Sequence, residues 1–356
     1  MKNINKFLII SPNTTYKSKF HFKNLISILQ KKGMNSEILD SNQYTTKFLD
    51  LDKFKTHKKF NAFLNELNPD FILLDDHPFE LINSIINKKI PYLFLLRGDI
   101  WEEEKWARET ICKSFKQKLA LKRKHRTYET CMKHAFAIIP ISHFLKNIVV
   151  KKFPNKKIKV IHIDARVSEE WITKTNMKLK HPCVGLVQGA GIWMKTKEMM
   201  IIPKIIEKMP HVTFYWAGDG IYKDKILPLL ENFENFNWLG NLDYPEQVQD
   251  FLSEIDIYAL FSGMDGLGQS VIEASLMGKP VLATNVGGIP ETIENGKTGF
   301  LIESGDTQEW VNKISLILEN SEISKELGVN GKKFVVKKFN WEIISDEIIE
   351  LVNKHN

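Results

Sequence analysis

At 356 residues the chain is too long for one ordinary domain and suits two. Its composition, 43% hydrophobic and 26% charged, is that of a globular protein, and no apolar run reaches the roughly 18–20 residues that span a bilayer. The formal charge of +7 is unevenly placed: residues 1–170 hold 32 Lys+Arg against 18 Asp+Glu, net +14, and residues 171–356 hold 18 against 25, net −7. Such asymmetry predicts two domains with different partners, the basic one suited to an anionic acceptor or a membrane surface.

The first ten residues have too short an apolar core for a signal peptide and read as the start of a strand. Candidate strands in the first half are residues 6–11, 35–39, 70–75, 91–96, 137–141 and 158–163. Amphipathic helices fill the gaps, for instance residues 20–32, with Gly33 as the cap. Apolar periodicity fades over residues 164–182, the expected linker. The second half repeats the pattern, with candidate strands at 183–188, 212–217, 237–239, 256–261, 280–284 and 299–302. Strands alternating with helices predict an α/β fold of parallel sheets covered on both faces. A last helix is expected over residues 341–354. Cys112, Cys131 and Cys183 show no metal or redox spacing and read as reduced cytoplasmic thiols.

The richest segment follows the strand at 256–261: Asp265-Gly266-Leu267-Gly268-Gln269-Ser270, then a helix carrying Glu273. The glycines let a ligand approach the backbone closely. The amides of Gly268, Gln269 and Ser270 are expected to stand open at a helix N-terminus, which favours phosphate. Glu273 lies one turn after Gln269 and faces the same ligand. A carboxylate beside a phosphate site suits ribose or sugar hydroxyls. The layout predicts a nucleotide whose other end carries hydroxyls.

These residues resemble the donor signature of the GT-B glycosyltransferases of family 4, the group 1 transferases, in which two Glu residues are separated by seven positions. Asp265 to Glu273 keeps that spacing, with Asp for the first Glu and Leu267 for the usual Phe. Residues 278–291 and 296–300 resemble the family as well. The resemblance implies two Rossmann-like parallel-sheet domains facing a cleft: an N-terminal acceptor domain, 1–165, and a C-terminal donor domain, 180–338. A C-terminal helix, 340–356, would pack back on the first. It further implies transfer with retention, no metal, and no cofactor beyond the nucleotide-sugar co-substrate. In that frame Asp265 serves the donor sugar, Glu273 the ribose, and residues 266–270 the diphosphate.

The family places a Lys six residues after a Gly-Arg pair. Lys195 holds that place relative to Gly189, and Ala190 stands where the Arg is expected. An ammonium there would stabilise charge growing on a diphosphate leaving group; a solvated lysine at a helix start is the plainer reading. Gly218-Asp219-Gly220 resembles the family's loop near the nucleotide base, and is also a common turn.

The first half departs further from the family. The loop after residue 11 lacks the glycine pair, and no His follows the strand at 91–96. Arg97 and Asp99 stand there instead. Arg97 is a candidate for an anionic acceptor and Asp99 a catalytic candidate for hydroxyls; the alternative is an Arg–Asp pair pinning the loop. His77 is an acceptor-side acid–base candidate or a turn histidine. Asp75-Asp76 reads as a turn pair, not a metal motif. Residues 113–126 hold seven Lys or Arg, with His125, and no acid. As a helix this suits anionic headgroups, or is a solvated face. No nucleic-acid module accompanies it.

The expected protein is a cytoplasmic glycosyltransferase, peripheral on the inner membrane face, moving a sugar from a nucleotide sugar to a glycan or lipid-linked acceptor. A sugar-nucleotide epimerase of the same fold and a non-catalytic nucleotide-sugar-binding protein are the alternatives. Neither the sugar, the base nor the acceptor is written in the sequence.

Overall fold

Unbroken apolar runs bounded by turns become parallel strands buried on both faces. The structure is a computed structural model and describes residues 6–12, 16–44, 53–77, 79–163, 171 and 176–355. The chain divides into two units, Met1–Ile163 with Trp341–Asn356, and Asp164–Asn340. The break thus falls at one end of the expected linker, most of which lies outside the described residues.

The first unit holds β1 (Lys6–Ser11), β2 (Asn35–Asp40), β3 (Phe71–Asp75), β4 (Tyr92–Leu96) and β5 (Ala137–Pro140), in the order β2-β1-β3-β4-β5. All pairs are parallel. The helix Tyr16–Lys31 ends at Gly33, whose φ of +85° is open to glycine at no steric cost. Met34 N then donates to Leu29 O at 2.9 Å, closing the helix end. The last helix, Trp341–Asn353, packs on this one, with Lys32 donating to Ser345 Oγ at 2.9 Å and pairing with Asp346 at 2.6 Å.

The strand expected at 158–163 does not form. Only an isolated bridge joins Ile158 to Ile138, with Ile138 N donating to Lys157 O and Lys159 N to Ile138 O. The neighbouring strand ends at Pro140, which has no N–H to continue the ladder.

The second unit holds β6 (Cys183–Val187), β7 (Thr213–Ala217), β8 (Phe236–Gly240), β9 (Ile257–Leu260), β10 (Val281–Thr284) and β11 (Phe300–Ile302), in the order β11-β10-β9-β6-β7-β8. Phe214, Trp216, Ile257 and Phe261 fill its core, where the Phe261 ring stacks on Trp310 at 3.9 Å. In both sheets the strand order reverses at one pair, β1/β3 in the first and β6/β9 in the second. Open α/β sheets bind ligands outside the carboxyl ends of such pairs.

Candidate functional site

The β6/β9 reversal is tied by one side chain. Gln188, just past β6, donates from Nε2 to Phe261 O at 2.6 Å, just past β9, and to Lys195 O at 3.3 Å. Its Oε1 is buried with no hydrogen-bond partner. Lys195 sits in the short helix Trp193–Thr196, and its ammonium lies 3.4 Å from Asp265 Oδ2.

Asp265 organises the loop that follows β9. Its Oδ1 accepts from Leu267 N at 3.2 Å and Gly268 N at 3.0 Å. The Gly268 amide, expected to stand open, is therefore engaged by Asp265. Gly268 takes φ +83° and starts the helix Gln269–Leu276. The Leu267 side chain is buried and contributes packing. Behind the loop, Gly288 N donates to Asp265 O at 2.9 Å, and a Cβ on Gly287 would fall 2.1 Å from that same oxygen. The Gly287-Gly288 pair lets the next loop press directly on Asp265-Gly266.

Glu273 is buried on the helix and accepts from the Tyr244 hydroxyl at 3.0 Å. Trp171 packs edge-on against the Tyr244 ring at 6.0 Å. Ser270 Oγ accepts from the Tyr258 hydroxyl at 2.5 Å; burial pushes that phenol up, keeping it a donor. Tyr244 and Tyr258 were missed in the sequence. Tyr244 lies in the turn after β8 and Tyr258 near the start of β9, and no local motif marked either one.

Ala190 is fully buried, with its N–H donated to Asp219 O and its C=O accepting from Tyr222 N. Gly220 makes that approach possible, since a Cβ on it would lie 2.3 Å from the Ala190 carbonyl carbon; Gly218 likewise presses on Gln188 O, 2.0 Å from where its Cβ would fall. Gly189 is exposed beside Ala190. Asp219 accepts from Gly220 N at 2.7 Å and pairs with Lys223 at 3.5 Å, so the loop is held as a turn.

In the first unit, Ser11 Oγ donates to Asp75 Oδ2 at 2.8 Å across the β1/β3 reversal. Arg97 Nε donates to Asp75 Oδ1 at 2.7 Å. The pair is thus with Asp75, not with Asp99. Asp99 instead caps the helix Ile100–Thr110, its Oδ1 accepting from Trp101 N and Glu102 N. The spacing Asp99-x-x-Glu102 carries that capping signal. Asp76 accepts from Arg97 N at 3.1 Å, while its other oxygen is buried without a partner. Burial, helped by the Asp75 charge, pushes Asp76 up to about 7. His77 is buried, its Nδ1 2.5 Å from Asp75 O, and burial lowers its pKa. Three residues of the loop after β1, 13–15, lie outside the described residues.

The helix that carries the basic run, Phe115–His134, is capped by Ser114 in a reciprocal capping box with Gln117. Phe115 is 82% exposed and Leu119 48%. Arg123 lies 3.7 Å from Glu80, and His125 bridges Glu104 and Glu129. No described helix is long and apolar enough to cross a membrane.

Residues 201–334 match the family of glycosyl transferases group 1. The sulfoquinovosyl transferase SQD2 of Arabidopsis thaliana is 29% identical over 186 residues, 51% of this chain and 35% of that protein. The chain thus spans about a third of that relative's length. Trehalose synthase of Pyrococcus horikoshii is 26% identical over 345 residues, 94% of this chain and 78% of it. Among solved structures, sucrose-phosphate synthase from Thermosynechococcus elongatus superposes with a TM-score of 0.75 at 16% identity, covering 99% of both chains. Anabaena HepE in complex with UDP-glucose superposes with a TM-score of 0.70 at 16% identity, covering 98% of this chain and 99% of it. Residues 201–334 thus match the glycosyl transferases group 1, in a chain that has the GT-B fold.

Proposed function

We propose that the protein transfers a sugar, with retention of anomeric configuration, from a nucleoside-diphosphate sugar held by the second unit to a hydroxyl-bearing acceptor held by the first. The observation that carries this reading is the Lys195–Asp265 pair, set on the loop that opens the helix bearing buried Glu273. HepE, which shares this fold, was solved in complex with UDP-glucose.

Lys195 meets the diphosphate and offsets the negative charge that grows as the bond to the anomeric carbon breaks. Such an interaction strengthens in the transition state and so raises the rate. Asp265 orients Lys195 and shapes the loop; its sugar-facing role is part of this proposal. Glu273 takes the ribose hydroxyls, held in place by Tyr244. The acceptor oxygen forms the new bond to the anomeric carbon while its proton passes to a phosphate oxygen of the departing diphosphate. Every proton and electron pair is then accounted for without a metal.

Calorimetry against UDP-, GDP- and ADP-sugars, followed by product analysis on each binder, tests the reading. One nucleotide sugar should bind and turn over. Binding without turnover would favour a non-catalytic binder, for which buried Ala190 in place of the Arg is the motive. No binding to any of them would sink the proposal.

The acceptor side extends this reading to an anionic membrane surface. Exposed Phe115 and Leu119 stand among lysines on one helix, and each basic residue near such a surface contributes about 1 kcal/mol. Reversing Lys116, Lys118 and Lys122 to Glu should abolish sedimentation with anionic vesicles at low salt and leave nucleotide affinity intact. Wild-type protein that never sediments with them would point to an acceptor away from membranes.

A further inference from the structure

The amino ends of β6 and β9 carry a second cluster, on the edge of the sheet opposite Gln188 and Phe261. Cys183 opens β6 and Asp256 precedes β9. His181 stands two residues before the cysteine. A five-residue strand is roughly 16 Å long, so this cluster lies well away from Lys195 and Asp265.

Three different donor atoms converge there. His181 Nδ1 lies 2.8 Å from Asp256 Oδ2 and 3.7 Å from Cys183 Sγ, and all three donor atoms fall within 4.8 Å of one another. On the far side of the ring, His181 Nε2 lies 3.3 Å from Glu254 Oε1. The segment is pinned from behind, with Lys180 N donating to the Tyr215 hydroxyl and Thr213 N to Pro182 O, both at 2.9 Å.

We propose that His181, Cys183 and Asp256 form a binding site for a divalent ion of the zinc class. Such ions take nitrogen, sulfur and oxygen at about 2.0–2.3 Å in a tetrahedron, which separates neighbouring donors by roughly 3.3–3.8 Å. The Nδ1–Sγ distance already meets this, and the Nδ1–Oδ2 distance needs to open by about 0.5 Å. Glu254 supplies the carboxylate behind the ring that ligating histidines commonly have; it fixes Nε2 as the protonated nitrogen and aims Nδ1 at the ion. The fourth position faces solvent, since His181 is exposed while Cys183 is buried. On binding, the proton between Nδ1 and Asp256 and the thiol proton pass to solvent, two protons for one ion. The Lys279 ammonium donates to Ser253 O at 2.7 Å, and its charge reaches Asp256, Glu254 and Cys183. It offsets only part of the burial that pushes the Cys183 thiol up to about 12, and it weakens, without abolishing, attraction of a dication. The ion would tie the amino ends of the two strands at which the sheet reverses.

The test is a cobalt(II) titration of the chelator-treated full-length protein. One equivalent should bring up a near-ultraviolet thiolate-to-cobalt band, and zinc should displace it. Cys183→Ser should abolish the band, and His181→Ala, a change on an exposed side chain, should weaken binding at least tenfold. Glu254→Gln should weaken it about 10- to 100-fold. Zinc should raise the melting temperature of the wild type and not of Cys183→Ser. Nucleotide-sugar affinity should be the same in every variant, which separates this site from the proposed activity. No thiolate band, or metal binding that survives both Cys183→Ser and His181→Ala, would overturn the assignment.

Discussion

The two sheets reverse their strand order at comparable places and close those places with different chemistry. In the first unit Asp75 is fully engaged, by Ser11 at 2.8 Å and Arg97 at 2.7 Å, and Asp76 lies buried beside it. In the second unit a neutral amide, Gln188, bridges the strand ends, and the charged pair sits on the loops above at a looser 3.4 Å. A tight buried pair must be broken to serve a ligand, and breaking one leaves an unpaired charge. A loose pair at a loop margin exchanges partners at lower cost. The comparison teaches that a strand-end position alone does not make a binding residue; what matters is how far its hydrogen bonds are already committed.

The strongest way to break this comparison is Lys195→Ala. If Lys195 serves the leaving diphosphate, kcat/KM should fall about 10²–10³-fold, or ~2.7–4 kcal/mol. A loss below tenfold in a donor-turnover assay would erase the distinction between the two sites. Glu273→Ala should come next, weakening nucleoside diphosphate binding by about 1.5–3 kcal/mol, roughly 10- to 150-fold, with kcat much less affected. Calorimetry decides it, and unchanged affinity would remove Glu273 from the site. Arg97→Ala should cost stability instead, about 1.5–3 kcal/mol in denaturant unfolding, because Asp75 loses its cation. Nucleotide affinity should hold; an affinity loss with intact stability would mean that the first reversal is the donor site.

Two smaller effects sharpen the picture. Tyr244→Phe removes one hydrogen bond to Glu273 and should weaken nucleotide binding by about 0.5–1.5 kcal/mol, roughly 2- to 12-fold. In a Glu273→Ala background the same change should do nothing further. Asp76 is read through the pH profile instead. Its folded pKa, about 7, lies above the ordinary 3.8, so the folded state holds the proton more tightly. Its stabilising share is full below pH ~4 and is lost as pH rises through ~7. Asp76→Asn should therefore flatten the fall in stability over that window, by up to about 1.4 kcal/mol per pH unit. Identical slopes for both proteins would show that Asp76 is not held protonated.

Much of the fold was legible because buried parallel strands leave contiguous apolar runs. Eleven of the twelve expected strands form within about a residue of their expected bounds, and the twelfth fails for a local reason, the missing N–H of Pro140. The site was legible where chemistry is local: Asp265 and Glu273 flank one glycine turn. It was illegible where bonds join distant segments. Nothing near Glu273 announces Tyr244, 29 residues away, and nothing near Cys183 announces Asp256, 73 residues away. Arg97 was read with its neighbour Asp99, whereas the fold pairs it with Asp75, 22 residues back. Asp99 shows that a polar residue after a strand serves a helix cap as readily as a ligand.

The final helix carries a consequence for how the protein is made. Residues Trp341–Asn353 belong to the unit that contains the first strand, and His355 sets its ring edge-on against Phe71 and Phe136. A ribosome delivers the chain from its amino end, and domains generally fold as they emerge. Here the unit synthesised first is completed after the second, since its Tyr16–Lys31 helix lacks cover until Trp341–Asn353 has been made. The second unit, whose parts are contiguous, has every strand available earlier. Termination just before Trp341 would thus release a chain whose second unit is whole and whose first displays bare apolar surface, a species marked out for chaperones or proteases.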